Sequence, residues 1–176
     1  MKKILYLIAA LVAIPLVAAL FIKKEYTVTR SIDIKKPKSE VFEYIKSLRN
    51  QDNFSAWSKI DPNMKKSYLG TDGTIGFKAS WDSDNKDVGA GEQEIVKIDE
   101  GNSINSSLHF IKPFDGLADV NMTTKEKSEN ETTVTWNMKS QMKYPMNFML
   151  LFLNMDDMIG KDFASGLQNL KGIMEQ

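Results

Sequence analysis

The chain has 176 residues, with three tryptophans, nine phenylalanines and ten methionines, enough for one domain with a real core and short for two. Its 23 basic and 23 acidic residues cancel, so no global field draws it to nucleic acid or to a strongly acidic partner, and no nucleic-acid partner is expected. The absence of cysteine excludes disulfides, thiolate metal sites and a cysteine nucleophile, and any zinc site or histidine-based triad would depend wholly on the single histidine, His109.

Ile4 to Ile22 carries no charge and, as a helix rising 1.5 Å per residue, would span about 28 Å, close to the thickness of a hydrocarbon core. Lys2 and Lys3 precede it and Lys23 and Lys24 follow it, so both ends are anchored and neither orientation is favoured. Pro15 costs one backbone hydrogen bond, which such a helix tolerates. Residues 1–24 are therefore expected to be a single-pass transmembrane anchor, with 25–176 as the folded domain. The competing reading is a cleaved signal peptide, with Val17 and Ala19 as the small residues before the cut. The anchor is preferred because the apolar run continues through Leu20, Phe21 and Ile22.

Tyr26 to Ile34 alternates in the manner of a strand. Pro37 stands where a helix can begin, and Val41, Phe42, Ile45 and Leu48 form its apolar face. Asn50 to Ser58 reads as a polar connection in which Phe54 and Trp57 plug one end of the core, followed by a turn at Asp61-Pro62-Asn63. From there the period is two. Ile75, Phe77, Ala79 and Trp81 share one strand face, and Gly89 and Gly91 open a strand running to Ile98, with a bulge or bend expected at the glycines. Ile104, Ser106, Leu108 and Phe110 are the next inward set. A last hairpin pairs Val120 and Met122 with Val134, Trp136 and Met138.

Asn154 to Met174 reads as one long helix with an apolar stripe in which Phe152, Met155, Ile159, Phe163, Leu167, Leu170 and Met174 recur at steps of three and four. Asn154 is placed to accept from exposed amides of the first turn, and Asp157 suits the dipole there. Gly160, Gly166 and Gly172 each weaken the helix by up to about 1 kcal/mol relative to alanine, so packing must supply the stability. The order of strand, short helix, antiparallel strands and terminal helix is α+β with a meandering sheet, since the connections are too short for parallel crossovers.

In the same order, Ser31-Ile-Asp-Ile with Pro37 and Val41-Phe-Glu-Tyr-Ile, Asn53-Phe-Ser-Ala-Trp-Ser with Asp61-Pro62, Phe77-Lys-Ala-Ser-Trp-Asp-Ser-Asp-Asn leading to Gly89-Ala-Gly-Glu, and Asp162-Phe with Gly166-Leu and Leu170-Lys mark the chain. In these points it resembles the START/Bet v 1-like (SRPBCC) superfamily, specifically its bacterial polyketide cyclase/dehydrase-like branch, from about Lys24 to the C-terminus. The resemblance implies a helix-grip fold, a curved seven-stranded antiparallel sheet wrapped around the C-terminal helix and enclosing a hydrophobic cavity. It also implies binding of lipids or other apolar small molecules, with catalysis in only some members.

Other motifs have plain explanations. By alternation His109 lies opposite Leu108 and Phe110, hence outside. Asp82, Asp84 and Asp87 lack the glycine and the spaced glutamate of a calcium loop and read as a hairpin turn. Asp156 and Asp157 point in different directions from a helix and serve its N-terminus. The Asn-X-Ser/Thr triplets at Asn105, Asn121 and Asn130 are common by chance. The surplus of methionine and aromatic residues from Met142 to Met158 admits three accounts: a short helix buried between sheet and long helix, a lid over the pocket, or a contact with the bilayer beside the anchor.

The expected function is membrane-tethered binding of a hydrophobic small molecule or lipid, without cofactor, metal or covalent chemistry. The expected wall residues are Phe77, Trp81, Leu108, Phe110, Trp136, Met138, Phe152 and Met155. One alternative is a cyclase- or dehydratase-type enzyme using a polar group inside the cavity, such as Glu94 if strand register turns it inward. The other is a non-catalytic interaction domain with a filled core.

Overall fold

The structure, a computed structural model, describes residues 2–176. Helix α1, Lys2–Ala19, has Pro15 inside it, and most of its described apolar side chains are exposed, while Ala19 at its end is buried. The domain holds that end. Asn147, itself wholly buried, donates from Nδ2 to the carbonyls of Ala19 (2.7 Å) and Ile22 (3.0 Å). Five residues, Leu20 to Lys24, then lead into strand β1, Glu25–Ile34.

Pro37 caps rather than begins helix α2, Lys38–Lys46, whose Val41, Phe42 and Ile45 are buried. The segment expected as a polar connection is largely helical: α3 spans Leu48–Phe54 and a 3₁₀ turn covers Trp57–Lys59. The reason lies in a tertiary cap. Ser47 Oγ accepts from the Asn50 amide (3.1 Å), and Asp72, arriving from a later loop, accepts from the amides of Leu48 (2.9 Å) and Arg49 (3.3 Å).

Six more strands follow: β2 Lys65–Leu69, β3 Lys78–Asp82, β4 Ala90–Asp99, β5 Ser103–Lys112, β6 Gly116–Ser128 and β7 Glu131–Gln141. Together with β1 they form one antiparallel sheet in the order β1-β7-β6-β5-β4-β3-β2. Of the seven, β2 is the one that alternation leaves unmarked. It is a short edge strand carrying Lys65, Lys66 and Ser67, the composition that keeps an unpaired edge from recruiting another strand. Register shifts in β4, at Ala90/Gly91 and Ile95/Lys97, account for its irregular alternation and turn Val96 outward.

Helix α4, Met155–Met174, lies in the curl of the sheet, chiefly against β1. Its start is as expected, the Asn154 Oδ1 accepting from the Asp157 amide at 3.2 Å. Phe163, Leu167 and Leu170 of its stripe join Val28, Val134 and Trp136 of the sheet and Phe54 of α3 in a single buried core. Gly166 has a packing reason: a Cβ there would lie 3.0 Å from the Trp136 ring and 3.4 Å from the Phe54 carbonyl oxygen, so its lack of a side chain lets helix and sheet approach.

The short helix after β7 is a 3₁₀ helix, Met146–Leu151, and it is not sandwiched between sheet and α4. Asn147 points inward to the end of α1, while Met146, Met149, Leu151 and Phe152 are exposed.

Candidate functional site

Sheet and terminal helix leave a cavity of about 150 Å³ between them. Its apolar wall is built by period-two alternation on three strands, Trp81 from β3, Leu108 and Phe110 from β5, and Trp136 and Met138 from β7, with Ile159 and Phe163 opposite on α4. The rest of the interior is closed by aromatic packing. Trp136 and Phe163 stack with ring centroids 4.4 Å apart and planes 8° apart, and Phe54 meets Trp136 edge-on at 5.7 Å. Phe110 stands between Trp81 and Trp57, 6.4 Å from each.

The opposite wall is polar and comes from α3, the loop after it and β2. Asp52 is its centre: it accepts from the Tyr68 hydroxyl (2.6 Å) and the Ser58 hydroxyl (3.1 Å), and Lys66 Nζ lies 2.9 Å from it. Burial, helped by the bond to Asp52 and its charge, pushes the Tyr68 pKa up to about 12, so the hydroxyl stays a donor. Buried Gln93 donates to Ser106 Oγ at 2.7 Å. Asp162 faces the same space from α4. No described side chain hydrogen-bonds it, and burial raises its pKa above the ordinary carboxylate range. The indole N–H groups of Trp57 and Trp136 are buried without an acceptor among the described residues.

Of the eight wall residues expected from sequence, the structure brings Trp81, Leu108, Phe110, Trp136 and Met138 together on the cavity. Phe77 lies off it, buried in the core and stacked on Tyr68 at 6.1 Å. Phe152 and Met155 also lie off it, because the chain there extends past the end of the sheet; they border an open hollow beside Ile22 to Thr27. Ile159 is the first stripe residue of α4 to reach the interior cavity. Glu94 is on the outer face, 3.2 Å from Lys78 Nζ. His109 is also outside the cavity lining, its Nε2 2.8 Å from Asp115, whose carboxyl it holds below the usual range. Asp82 pairs with Lys112 (3.0 Å) at the surface. Among the described residues, no group of three or more His, Asp or Glu side chains is arranged to hold a metal.

Sequence reasoning missed the polar wall. Asp52 and Asp162 are charged residues on helices, which a periodicity argument assigns to solvent, and Tyr68 lies on the strand that alternation did not mark.

No family model matches the chain, and no curated protein does either. Solved structures match its fold. A protein from Chromobacterium violaceum superposes with a TM-score of 0.60 at 11% identity, covering 85% of this chain and 97% of that one. Norcoclaurine synthase from Thalictrum flavum, solved with dopamine and hydroxybenzaldehyde, gives 0.62 at 8% identity, covering 85% and 86%. Ginseng major latex-like protein 151 from Panax ginseng gives 0.60 at 14% identity, covering 86% and 99%. At these identities the likeness is one of fold: the chain has the helix-grip architecture, a seven-stranded antiparallel sheet with a C-terminal helix in its curl.

Proposed function

We propose that this START/Bet v 1-like helix-grip domain is tethered to a membrane through residues 4–22 and takes up a small hydrophobic molecule between its sheet and its terminal helix. The observation that carries the reading is the cavity of about 150 Å³ walled by Trp81, Leu108, Phe110, Trp136 and Met138. That volume is the size that admits a single aromatic ring such as benzene, or a short stretch of acyl chain. It is below the roughly 300 Å³ at which drug-sized ligand pockets begin. Affinity would come from apolar burial at roughly 25 cal/mol per Å². The Asp162 carboxyl on the cavity lining would favour a guest that carries a polar substituent. The tether is supported by α1, long and apolar enough to cross a bilayer, with almost none of its surface covered by the domain. A tether raises the local concentration of any guest that partitions into lipid.

The test is a fluorescence titration of the full chain in detergent micelles with benzene, phenol and 4-hydroxybenzaldehyde, using the cavity tryptophans as reporters. Saturable quenching that disappears in Ala79→Leu, which fills the space, supports the reading. A response unchanged by Ala79→Leu, or none at all, overturns it.

A second reading, an enzyme working in the same cavity, is favoured by one observation, the half-buried carboxyl of Asp162 on the cavity lining, without a hydrogen-bonding side chain among the described residues. Its signature is Asp162→Asn abolishing turnover of a bound compound while leaving its uptake intact.

A further inference from the structure

The exposed aromatic side chains of the domain gather at one end. In register, Tyr26, Ser140, Ala118 and Leu108 lie side by side across β1, β7, β6 and β5. The start of β1, the end of β7 and the β5–β6 turn therefore share the end from which α1 leaves. Lys143, just past β7, lies 3.8 Å from Asp115 in that turn, so the two segments are neighbours. Phe114, Tyr144 and Phe152 all stand here, and they are the exposed aromatics of the domain among the described residues. Phe114 and Phe152 are 74% and 75% exposed, and Met149 and Leu151 of the 3₁₀ helix are exposed as well. Among the described residues these side chains are left uncovered, and exposed apolar side chains gathered at one end of a domain mark a contact surface.

What covers it follows from where α1 ends. Asn147 of the same 3₁₀ helix grips the carbonyls of Ala19 and Ile22, so the face cannot move away from the end of α1. If α1 spans a bilayer, its end and these residues sit together at the lipid surface, with Lys23 and Lys24 at headgroup level. Aromatic and methionine side chains suit that layer. Lys112 pairs with Asp82 at 3.0 Å and Lys139 with Glu25 at 2.9 Å. The side chains of the face are themselves uncharged, so what they add beside Lys23 and Lys24 is apolar insertion.

We propose that the face formed by Phe114, Tyr144, Met149, Leu151 and Phe152 docks into the surface of the same bilayer that α1 crosses, seating the domain on lipid. This rests on the tethered reading above and adds a second, independent contact. Tyr26 borders both the interior cavity and the outer hollow beside Phe152, so the docked face lies next to the cavity wall.

The chain has no cysteine, so each introduced thiol is unique. Phe114→Cys, Phe152→Cys, Leu11→Cys and, at the far end, Glu129→Cys are each labelled with a polarity-sensitive fluorophore in the full chain, reconstituted into phosphatidylcholine nanodiscs. Circular dichroism checks the fold of each. The docked face predicts that phosphatidylcholine brominated on its acyl chains quenches the labels at 114 and 152 several-fold more than the label at 129, with no loss in high salt. Quenching at 11 alone, with 114 and 152 behaving like 129, leaves the tether standing and overturns the docking. No quenching at 11 removes the tether and the docking with it. Labels at 114 and 152 that are shielded from aqueous iodide yet untouched by brominated lipid would mean that protein, such as a second copy of the chain, covers the face, and would also overturn the proposal.

Discussion

Trp136 of β7 and Phe163 of α4 lie face to face, 4.4 Å apart with planes only 8° from parallel, and this pair decides how much of the interior is left open. Phe163→Ala is expected to cost about 3–5 kcal/mol, as a buried ring removed from a packed site does. It should also enlarge the cavity enough to admit bulkier guests. Urea denaturation measures the first effect and a series of alkylbenzenes of rising size the second.

Gly91 is tied to the same wall. It sits opposite Trp81 on one side and Phe110 on the other, and the two rings meet edge-on across it. A Cβ there would lie 2.6 Å from the His109 carbonyl oxygen and from the Trp81 ring. The carbonyl belongs to the sheet ladder and cannot swing aside, so Gly91→Ala should destabilise by about 1–3 kcal/mol and push Trp81 into the cavity. A lower urea midpoint together with weaker guest uptake is the expected pair of results.

Asp162 sets a pH dependence with a definite sign. Burial raises its folded-state pKa, so the folded chain keeps this proton to higher pH than the unfolded chain. Its contribution to stability therefore falls as pH rises from the ordinary carboxylate range through the raised value. Asp162→Asn should be more thermostable than the parent at pH 7, by about 2–4 °C for each kcal/mol recovered. The gap should close as pH falls through the carboxylate range, where both states are protonated. Asp33 and Asp156, held below the usual range by Lys127 and Arg30, act in the opposite sense: their contribution is present above that range and lost as pH falls. The comparison of the Asn variant with the parent cancels them.

Asn147→Ala removes the donor shared by the Ala19 and Ile22 carbonyls. Leaving buried acceptors unpaired costs about 1–3 kcal/mol. Amide exchange from Leu20 to Lys24 should accelerate while β5 and β6 keep their protection, and proteolysis between α1 and β1 should quicken.

Period and capping made some of this legible and tertiary context hid the rest. The terminal helix could be bounded because its stripe is long and Asn154 supplies a start, and both signals are local. Alternation identifies which face of a strand is inward, and so brings Trp81, Leu108, Phe110, Trp136 and Met138 to the interior. It says nothing of depth along the strand, which is why Phe77, on the same face as Trp81, lies in packed core instead of on the cavity. Helix α3 was hidden because part of its cap comes from Asp72, a contact no local window contains. The run from Met146 to Leu153, apolar nearly all round, reads as buried when water is the only surrounding considered. Its exposure becomes intelligible beside the end of α1.

The passage from α1 into β1 has a mechanical corollary. A load applied through α1 would first meet the bonds from Asn147 to Ala19 and Ile22, and beyond them would enter at Glu25 and run down the strand itself. There the whole β1–β7 ladder, paired from Glu25↔Gln141 to Ile34↔Thr132, resists it at once in shear. A hairpin pulled from its open end would yield one rung at a time. A chain pulled from its N-terminal helix would thus meet a ten-rung seam where the tension enters.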